Sequence, residues 1–214
     1  MYDLNKKFIF THPHKCGGTS IEDVLGFLDL RKQKPTTRVF KHASLKTHIQ
    51  ALVEKQINVK NFFKFSIIRN PWDRVVSFYK HCKYNEYDSY MKRNIAPNKQ
   101  MPQYVVDARN MSFKEFANKY CKTHFNSDKR TKPFMFFNKE FFLDYVIRLE
   151  HLEEDFLKIQ DRLQIKLDSK LPHKNNSDLF LERKPYSDYY DEETKALVEK
   201  LFEWDIKKFG YTFE

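Results

Sequence analysis

The sequence predicts an α/β fold in which a central parallel sheet is flanked by helices, and three observations lead there. Short apolar and aromatic runs, residues 8–11, 62–68 and 141–150, read as buried strands. Each leads into a segment whose apolar residues recur at helical spacing: Ile21, Val24, Leu25 and Leu28 after the first, Val75, Val76 and Tyr79 after the second, Leu152 to Leu163 after the third. The first two links hold Gly17 and Gly18, or Pro71, which suit a sharp turn into a helix. Strand and helix therefore alternate, the pattern of a parallel sheet whose ligands gather at the carboxyl ends of the strands.

The first link is His12-Pro13-His14-Lys15-Cys16-Gly17-Gly18-Thr19-Ser20. Gly17 and Gly18 open backbone conformations closed to other residues, while Thr19 and Ser20 bring hydroxyls and N–H groups to the first helical turn. That combination makes an anion cradle of Lys15, Cys16, Gly17, Gly18, Thr19 and Ser20. A Walker A loop places its lysine after the glycines, and no GK[ST] occurs in the chain, so a small-molecule or nucleoside kinase would lack its central cation.

Further along, the first helix should fade near residues 32–35, and residues 38–41 read as a second strand ending at His42. Ser44 should cap a helix through Leu45, Ile49, Leu52 and Val53. After the strand at 62–68, Pro71 stands where a first helical turn tolerates proline. Residues 84–133 break the alternation, being rich in Lys, Arg, Asn and Tyr with one helical segment near 112–122. They read either as an insertion near an acceptor site or as a solvated helical excursion, and their basic excess slightly favours an anionic acceptor. The strand at 141–150 and the helix at 152–163 restore the pattern. A basic loop over 171–185 and a final helix over 192–209, stopped by Gly210, complete the chain.

The length of 214 residues fits one domain, 1–214, and 41% hydrophobic residues with 21 Phe supply a full core. A net charge of +10 calls for an anionic partner: nucleotide, acidic glycan, nucleic acid or anionic membrane. An RNA-binding protein would set aromatics among its basic residues in a binding module, and no such motif occurs, so no nucleic acid is expected. Residues 1–7 contain no apolar leader and no segment reaches membrane-span length, which predicts a cytoplasmic protein without a membrane span. Cys16, Cys82 and Cys121 are far apart and form no CxxC pair, against a disulfide scaffold or a thiolate zinc site.

The second motif is Arg69-Asn70-Pro71-Trp72-Asp73-Arg74-Val75-Val76-Ser77-Phe78-Tyr79, with an arginine at a strand end and a serine eight positions on. An arginine fork and a hydroxyl suit a phosphate monoester. Together, Lys15-x-Gly17-Gly18-Thr19-Ser20 and RNPxxRxxSxY resemble the PAPS-dependent sulfotransferases, specifically the carbohydrate branch that modifies heparan and chondroitin chains. The ending supports the resemblance with Leu149-Glu150-x-Leu152, Asp155-Phe156, Asn175-x-Ser177, Tyr189-Tyr190-Asp191 and Phe209-Gly210-Tyr211-x-Phe213.

The resemblance implies a P-loop-like three-layer fold and sulfuryl transfer from PAPS (3′-phosphoadenosine 5′-phosphosulfate) to a hydroxyl, with a carbohydrate or a small molecule as acceptor and no metal. It assigns the 5′-phosphosulfate to the Lys15 loop, the 3′-phosphate to Arg69 and Ser77, and further nucleotide contacts to Asn175 and Ser177. Two departures stand out: His14 replaces the usual proline before the lysine and Cys16 the usual threonine. The branch's membrane anchor is also absent, which points to a soluble bacterial or viral member.

Displacement at sulfur needs a cation for the leaving phosphate oxygen and a base for the acceptor's proton. Lys15 can supply the first. His42, titrating near neutrality at the end of its strand, can supply the second, with His48 in reserve. His12, His14 and Cys16 alternate as metal ligands could, yet no fourth ligand lies nearby and Pro13 disrupts the strand, so no metal is expected.

Overall fold

A computed structural model describes residues 1–27, 42–86, 101–165 and 184–214. The chain opens with β1 (Tyr2–Asp3), β2 (Phe8–Thr11) and α1 (Gly18–Val24), followed by α2 (Leu45–Val53) and β3 (Phe63–Ile68). Next come α3 (Pro71–Lys80), running on as a π-helical turn over His81–Glu86, then α4 (Gln103–Asn110) and α5 (Phe113–His124). Two single helical turns, Ser127–Arg130 and Lys132–Met135, precede β4 (Phe136–Phe137), β5 (Glu140–Phe141) and β6 (Tyr145–Arg148). The chain then forms α6 (Leu152–Leu163), α7 (Glu192–Leu201) and α8 (Glu203–Phe209).

Contacts gather these elements into two compact units. The first, residues 1–69 and 130–175, holds a sheet of order β1-β2-β3-β6, in which β2, β3 and β6 run parallel and β1 pairs antiparallel at the edge. Thr11 stands opposite Ser66, and Ile67 opposite Ile147. Because side chains alternate along a strand, Phe8 and Phe10 pack with Phe65, Ile67, Ile147, Ile21 of α1 and Phe156 and Ile159 of α6, while Ile9 turns to Leu45, Ile49 and Leu52 of α2. Helices thus cover both faces of the sheet, as the alternation predicts. Each such fully buried aliphatic or aromatic side chain contributes about 1.5–3 kcal/mol.

The second unit, residues 70–129 and 176–214, is helical among its described residues. Trp72, Val75, Phe78 and Tyr79 of α3 pack with Phe113, Phe116 and Tyr120 of α5 and Val198 of α7. Phe78 lies flat on Phe125 with centroids 4.3 Å apart. The fully buried Arg74 sets its guanidinium over Phe125 at 5.2 Å and Phe202 at 5.9 Å.

Several expectations change. The described part of segment 84–133 is not a wholly solvated excursion, because Ala108, Phe113, Phe116, Tyr120 and Phe125 are buried in that core. Its helix near 112–122 is α5, opened by a capping box between Ser112 and Glu115. The helix expected over 192–209 breaks at Phe202, which ends α7 and begins α8 at φ −115° with its ring fully buried in the core. The strand expected over 141–150 contracts to β6. Phe141 pairs back to Phe136 in a hairpin whose turn residues, Asn138 and Lys139, take left-handed φ of 51° and 67°. The far end of β6 is closed by Asp155, which accepts Arg148 N–H at 2.9 Å and the Tyr145 hydroxyl at 2.6 Å. The strand expected at 38–41 and the fading of the first helix lie outside the described residues.

Candidate active site

The loop between β2 and α1 is anchored at both ends. Ser66 Oγ donates to Thr11 O at 3.0 Å, and Thr11 Oγ1 donates to Phe134 O at 2.7 Å, so the last residue of β2 is held on two sides. Beyond it the chain takes two left-handed steps, Lys15 at φ 63° and Gly17 at φ 74°. A non-glycine residue pays for that region in strain, which argues that its surroundings hold Lys15 there. One such contact is visible: Arg69 Nη1 donates to Lys15 O at 3.4 Å.

Both glycines are needed for space. A Cβ at Gly17 would stand 2.5 Å from Leu149 Cδ1, and one at Gly18 would stand 2.4 Å from the His12 ring. That ring cannot easily give way, because His12 Nδ1 is 2.7 Å from Glu22 Oε1 and both side chains are buried. Gly17 caps α1 with no side-chain hydrogen bond, so the helix opens on backbone N–H groups that no N-cap side chain takes. The Cys16 side chain is fully buried in the apolar cluster beside Phe10 and Ile21, with Sγ donating to His14 O at 3.6 Å. The Cys16 side chain therefore belongs to the core. Thr19 is half-buried and Ser20 nearly buried.

Three imidazoles crowd the same loop. His42 Nδ1 lies 2.7 Å from His12 O, and a carbonyl only accepts, so Nδ1 carries a proton. The His42 ring stacks on His14 with centroids 3.7 Å apart and meets His12 edge-on at 4.7 Å. His48 is placed otherwise: it is buried on α2, its Nε2 is 2.6 Å from the Met1 amine, and burial, then that positive charge, push its pKa down to about 2. A group so reluctant to take a proton, with its ring engaged in the interior, is a poor base, which separates His42 from its reserve.

Arg69 follows β3 and is half-buried. In the helical unit Ser77 lies on α3 with 5% of its surface exposed. The same helix is capped by Asn70, whose Oδ1 accepts Trp72 N–H at 3.1 Å and Asp73 N–H at 3.4 Å. Asn70 Nδ2 donates to Thr212 O at 3.0 Å. Asn175 and Ser177 lie outside the described residues. Two contributors escaped the sequence reading, Glu22 and Asn70. Nothing in sequence links Glu22 to His12, but an Asn immediately before Pro71, with Asp73 in the first turn, is a readable N-cap signal.

Among the described residues no group of three or more His, Cys, Asp or Glu side chains is placed to hold a metal ion, and no helix is long and apolar enough to cross a membrane. The three cysteines are buried. A cleft of about 320 Å³ lined by Tyr145, Val146, Arg148, His151, Glu154 and Asp155 contains none of the expected site residues.

The model of a sulfotransferase family matches residues 1–212. None of the curated proteins matches the chain in sequence. Among solved structures, mouse sulfotransferase SULT7A1, crystallised with PAP, superposes with a TM-score of 0.50 at 14% identity, over 96% of this chain and 86% of that one.

Proposed function

The chain belongs to the sulfotransferase family, and from that premise we propose that it transfers a sulfuryl group from PAPS to a hydroxyl, most simply one on a carbohydrate, and releases adenosine 3′,5′-bisphosphate (PAP). The observation that carries this reading is the loop from Lys15 to Ser20, where two left-handed residues and two glycines without room for a Cβ bring a lysine and a tightly turned backbone to the start of α1, an arrangement suited to an anion. The PAP held by the mouse structure of the same fold supports the choice of donor. The carbohydrate acceptor rests on the resemblance of the motifs, and the net charge of +10 suits an anionic one.

In this reading the acceptor oxygen attacks sulfur as the bond from sulfur to the bridging phosphate oxygen breaks. Lys15 neutralises the charge that collects on that oxygen, and the backbone N–H groups at the start of α1 hold the phosphate. His42 Nε2 takes the acceptor's proton; its Nδ1–H, directed at His12 O, holds the tautomer that can do so. Arg69 and Ser77 bind the 3′-phosphate, with Asn175 and Ser177 as further nucleotide contacts. The whole of 1–214 acts as one sulfotransferase domain, and the buried cysteines fit a reducing, cytoplasmic setting.

A thermal-shift titration tests the reading. PAP at a hundredfold excess over its dissociation constant should stabilise the protein by about 2.7 kcal/mol, unchanged by chelator. No shift with PAP, or a shift that chelator removes, would overturn the donor assignment. Arg69→Ala should weaken PAP by roughly 1.5–3 kcal/mol, the range for a lost contact to a charged group, and weaken adenosine 5′-phosphate much less. Equal losses would take the 3′-phosphate away from Arg69.

A further inference from the structure

Gly17 and Gly18 each face a side chain delivered by a different strand. Gly18 faces His12, the residue after β2, whereas Gly17 faces Leu149, the residue after β6, with β3 lying between those two strands. A Cβ at Gly17 would stand 2.5 Å from Leu149 Cδ1, 3.3 Å from Cδ2 and 3.5 Å from Cγ. Turning the isobutyl group from one staggered position to the next brings one methyl in as the other leaves, so Gly17 meets the whole end of the side chain. Leu149 is also anchored from behind. Its carbonyl accepts Leu152 N–H in the turn that leads into α6, and Asp155 of α6 accepts the N–H of Arg148, the residue before it, at 2.9 Å. The Leu149 side chain packs against the apolar cluster that holds Cys16 and Ile21, which flank the glycines in the chain.

We propose that Leu149 is a positioning residue of the loop from Lys15 to Ser20: its δ carbons close on the Gly17 α-carbon and hold the left-handed turn in the form that receives the 5′-phosphosulfate. The inference rests on the reading of that loop as the donor's anion site, and it assigns Leu149 no contact with donor or acceptor. A loop held in its bound shape loses less freedom on binding, which raises affinity without any new contact to the ligand. The reach of the side chain, not its apolar character as such, is the property that matters. Methionine, which extends as far, should therefore replace Leu149, and valine, which is apolar but has no δ carbon, should not.

The chain has four glycines, Gly17, Gly18, Gly26 and Gly210, so nitrogen labelling confined to glycine gives four amide signals, assigned by replacing each glycine in turn. Relaxation measurements should give Gly17 an order parameter of about 0.85 in the parent and in Leu149→Met, and below about 0.6 in Leu149→Ala and Leu149→Val, with Gly210 at its parental value throughout. A loop that keeps its bound shape only about a tenth of the time binds about tenfold more weakly, and the two truncated variants should lose PAP affinity on that order. Gly17→Ala should weaken PAP as well. Adding Leu149→Ala to it should restore part of the affinity, because the new methyl group then has room, and only part, because alanine is still strained at φ 74°. Leu149→Val carries the test where Leu149→Ala does not fold.

A Gly17 order parameter that stays at the parental value in the truncated variants overturns the proposal. So does a fall shared equally by Gly210, which marks a general loosening, or a Leu149→Met protein that loosens as fully as Leu149→Ala. A double variant whose loss of PAP affinity is the sum of the two single losses also overturns it, since the two side chains would then act apart. Truncated variants with a loosened Gly17 and parental PAP affinity do the same, because the shape held by Leu149 would not concern the donor. If the parent itself fails to bind PAP, the functional reading falls, while the order parameters still decide whether Leu149 holds the turn.

Discussion

Two strands of the sheet hand over to helices, and they do so by opposite means. After β2, the turn is made by left-handed Lys15 and Gly17, and α1 starts without a capping side chain. After β3, Asn70 and Pro71 make the turn, and the Asn70 side chain accepts both Trp72 N–H and Asp73 N–H. An N-terminus whose donors are already taken by its own cap has little left for an anion. Under the proposed function the first junction would meet a phosphate with its backbone. The second helix start is capped by its own side chain, and under the proposed function Arg69 and Ser77 rather than that N-terminus would recognise the 3′-phosphate. This contrast explains why the loop tolerates no Cβ whereas the second junction is set by a polar side chain and a proline.

The largest effect should come from filling the first junction. In Gly18→Ala the new methyl group would stand 2.4 Å from a His12 ring fixed by Glu22, so the loop must shift. Overpacking of this kind costs about 1–3 kcal/mol. Denaturant melts should show that loss, and the PAP-induced thermal shift should shrink with it. A Gly18→Ala protein of parental stability that still bound PAP normally would show that the loop does not depend on close backbone approach.

The first junction should also be the acid-sensitive one. Behind β2, His48 is held neutral with its pKa pushed down to about 2, first by burial and then by the Met1 amine beside it. The unfolded chain accepts a proton near the ordinary value of 6.5, and the folded chain declines it. The unfolded state therefore binds more protons through that window, and stability falls as pH drops from 6.5 toward 2, by up to about 1.4 kcal/mol per pH unit. Hydrogen exchange should find the amides of Phe10 and Thr11 losing protection at pH 5 relative to pH 7, within the range of this titration, before those of Val75 and Val76 in α3. His48→Leu should flatten the acid slope; an unchanged slope would place the sensitivity elsewhere.

How far this contrast could be read in the sequence differs between the junctions. Phe8–Thr11 followed by two glycines announces the first, and Ile9 against Phe8 and Phe10 announces a strand covered on both sides. What stayed hidden there is the packing that depends on the fold, the Glu22 carboxylate under His12 and the His14 ring on His42. The solvated alternative for residues 84–133 fails for a physical reason. Helices α4 and α5 carry Lys, Arg and Asn on their outer faces, so bulk composition looked solvated while Phe113, Phe116 and Tyr120 at helical spacing formed a core. Phe202 gave no warning of a break, since no Gly or Pro marks it; the bend follows from burying its ring against Phe125. The β4–β5 hairpin has two-residue strands joined by Asn138 and Lys139, and without an Asn-Gly signal it merged into the apolar run after it.

The smallest effect, and the sharpest discriminator, belongs to Asn70 at the second junction. Replacing an N-cap asparagine by alanine costs about 0.5–2 kcal/mol, and Asn70→Ala should fall in that range on a denaturant melt. Asn70→Asp retains an acceptor for Trp72 N–H and Asp73 N–H but loses the amide that donates to Thr212 O, so it should recover most, though not all, of the cap. If the cap is purely structural, PAP should still shift both variants by nearly the parental amount at the same excess over its dissociation constant. An Asn70→Ala protein that keeps its stability and loses PAP would reverse the comparison. The second helix would then be presenting its N-terminus to the nucleotide, and the contrast between a backbone site and a side-chain site would have to be abandoned.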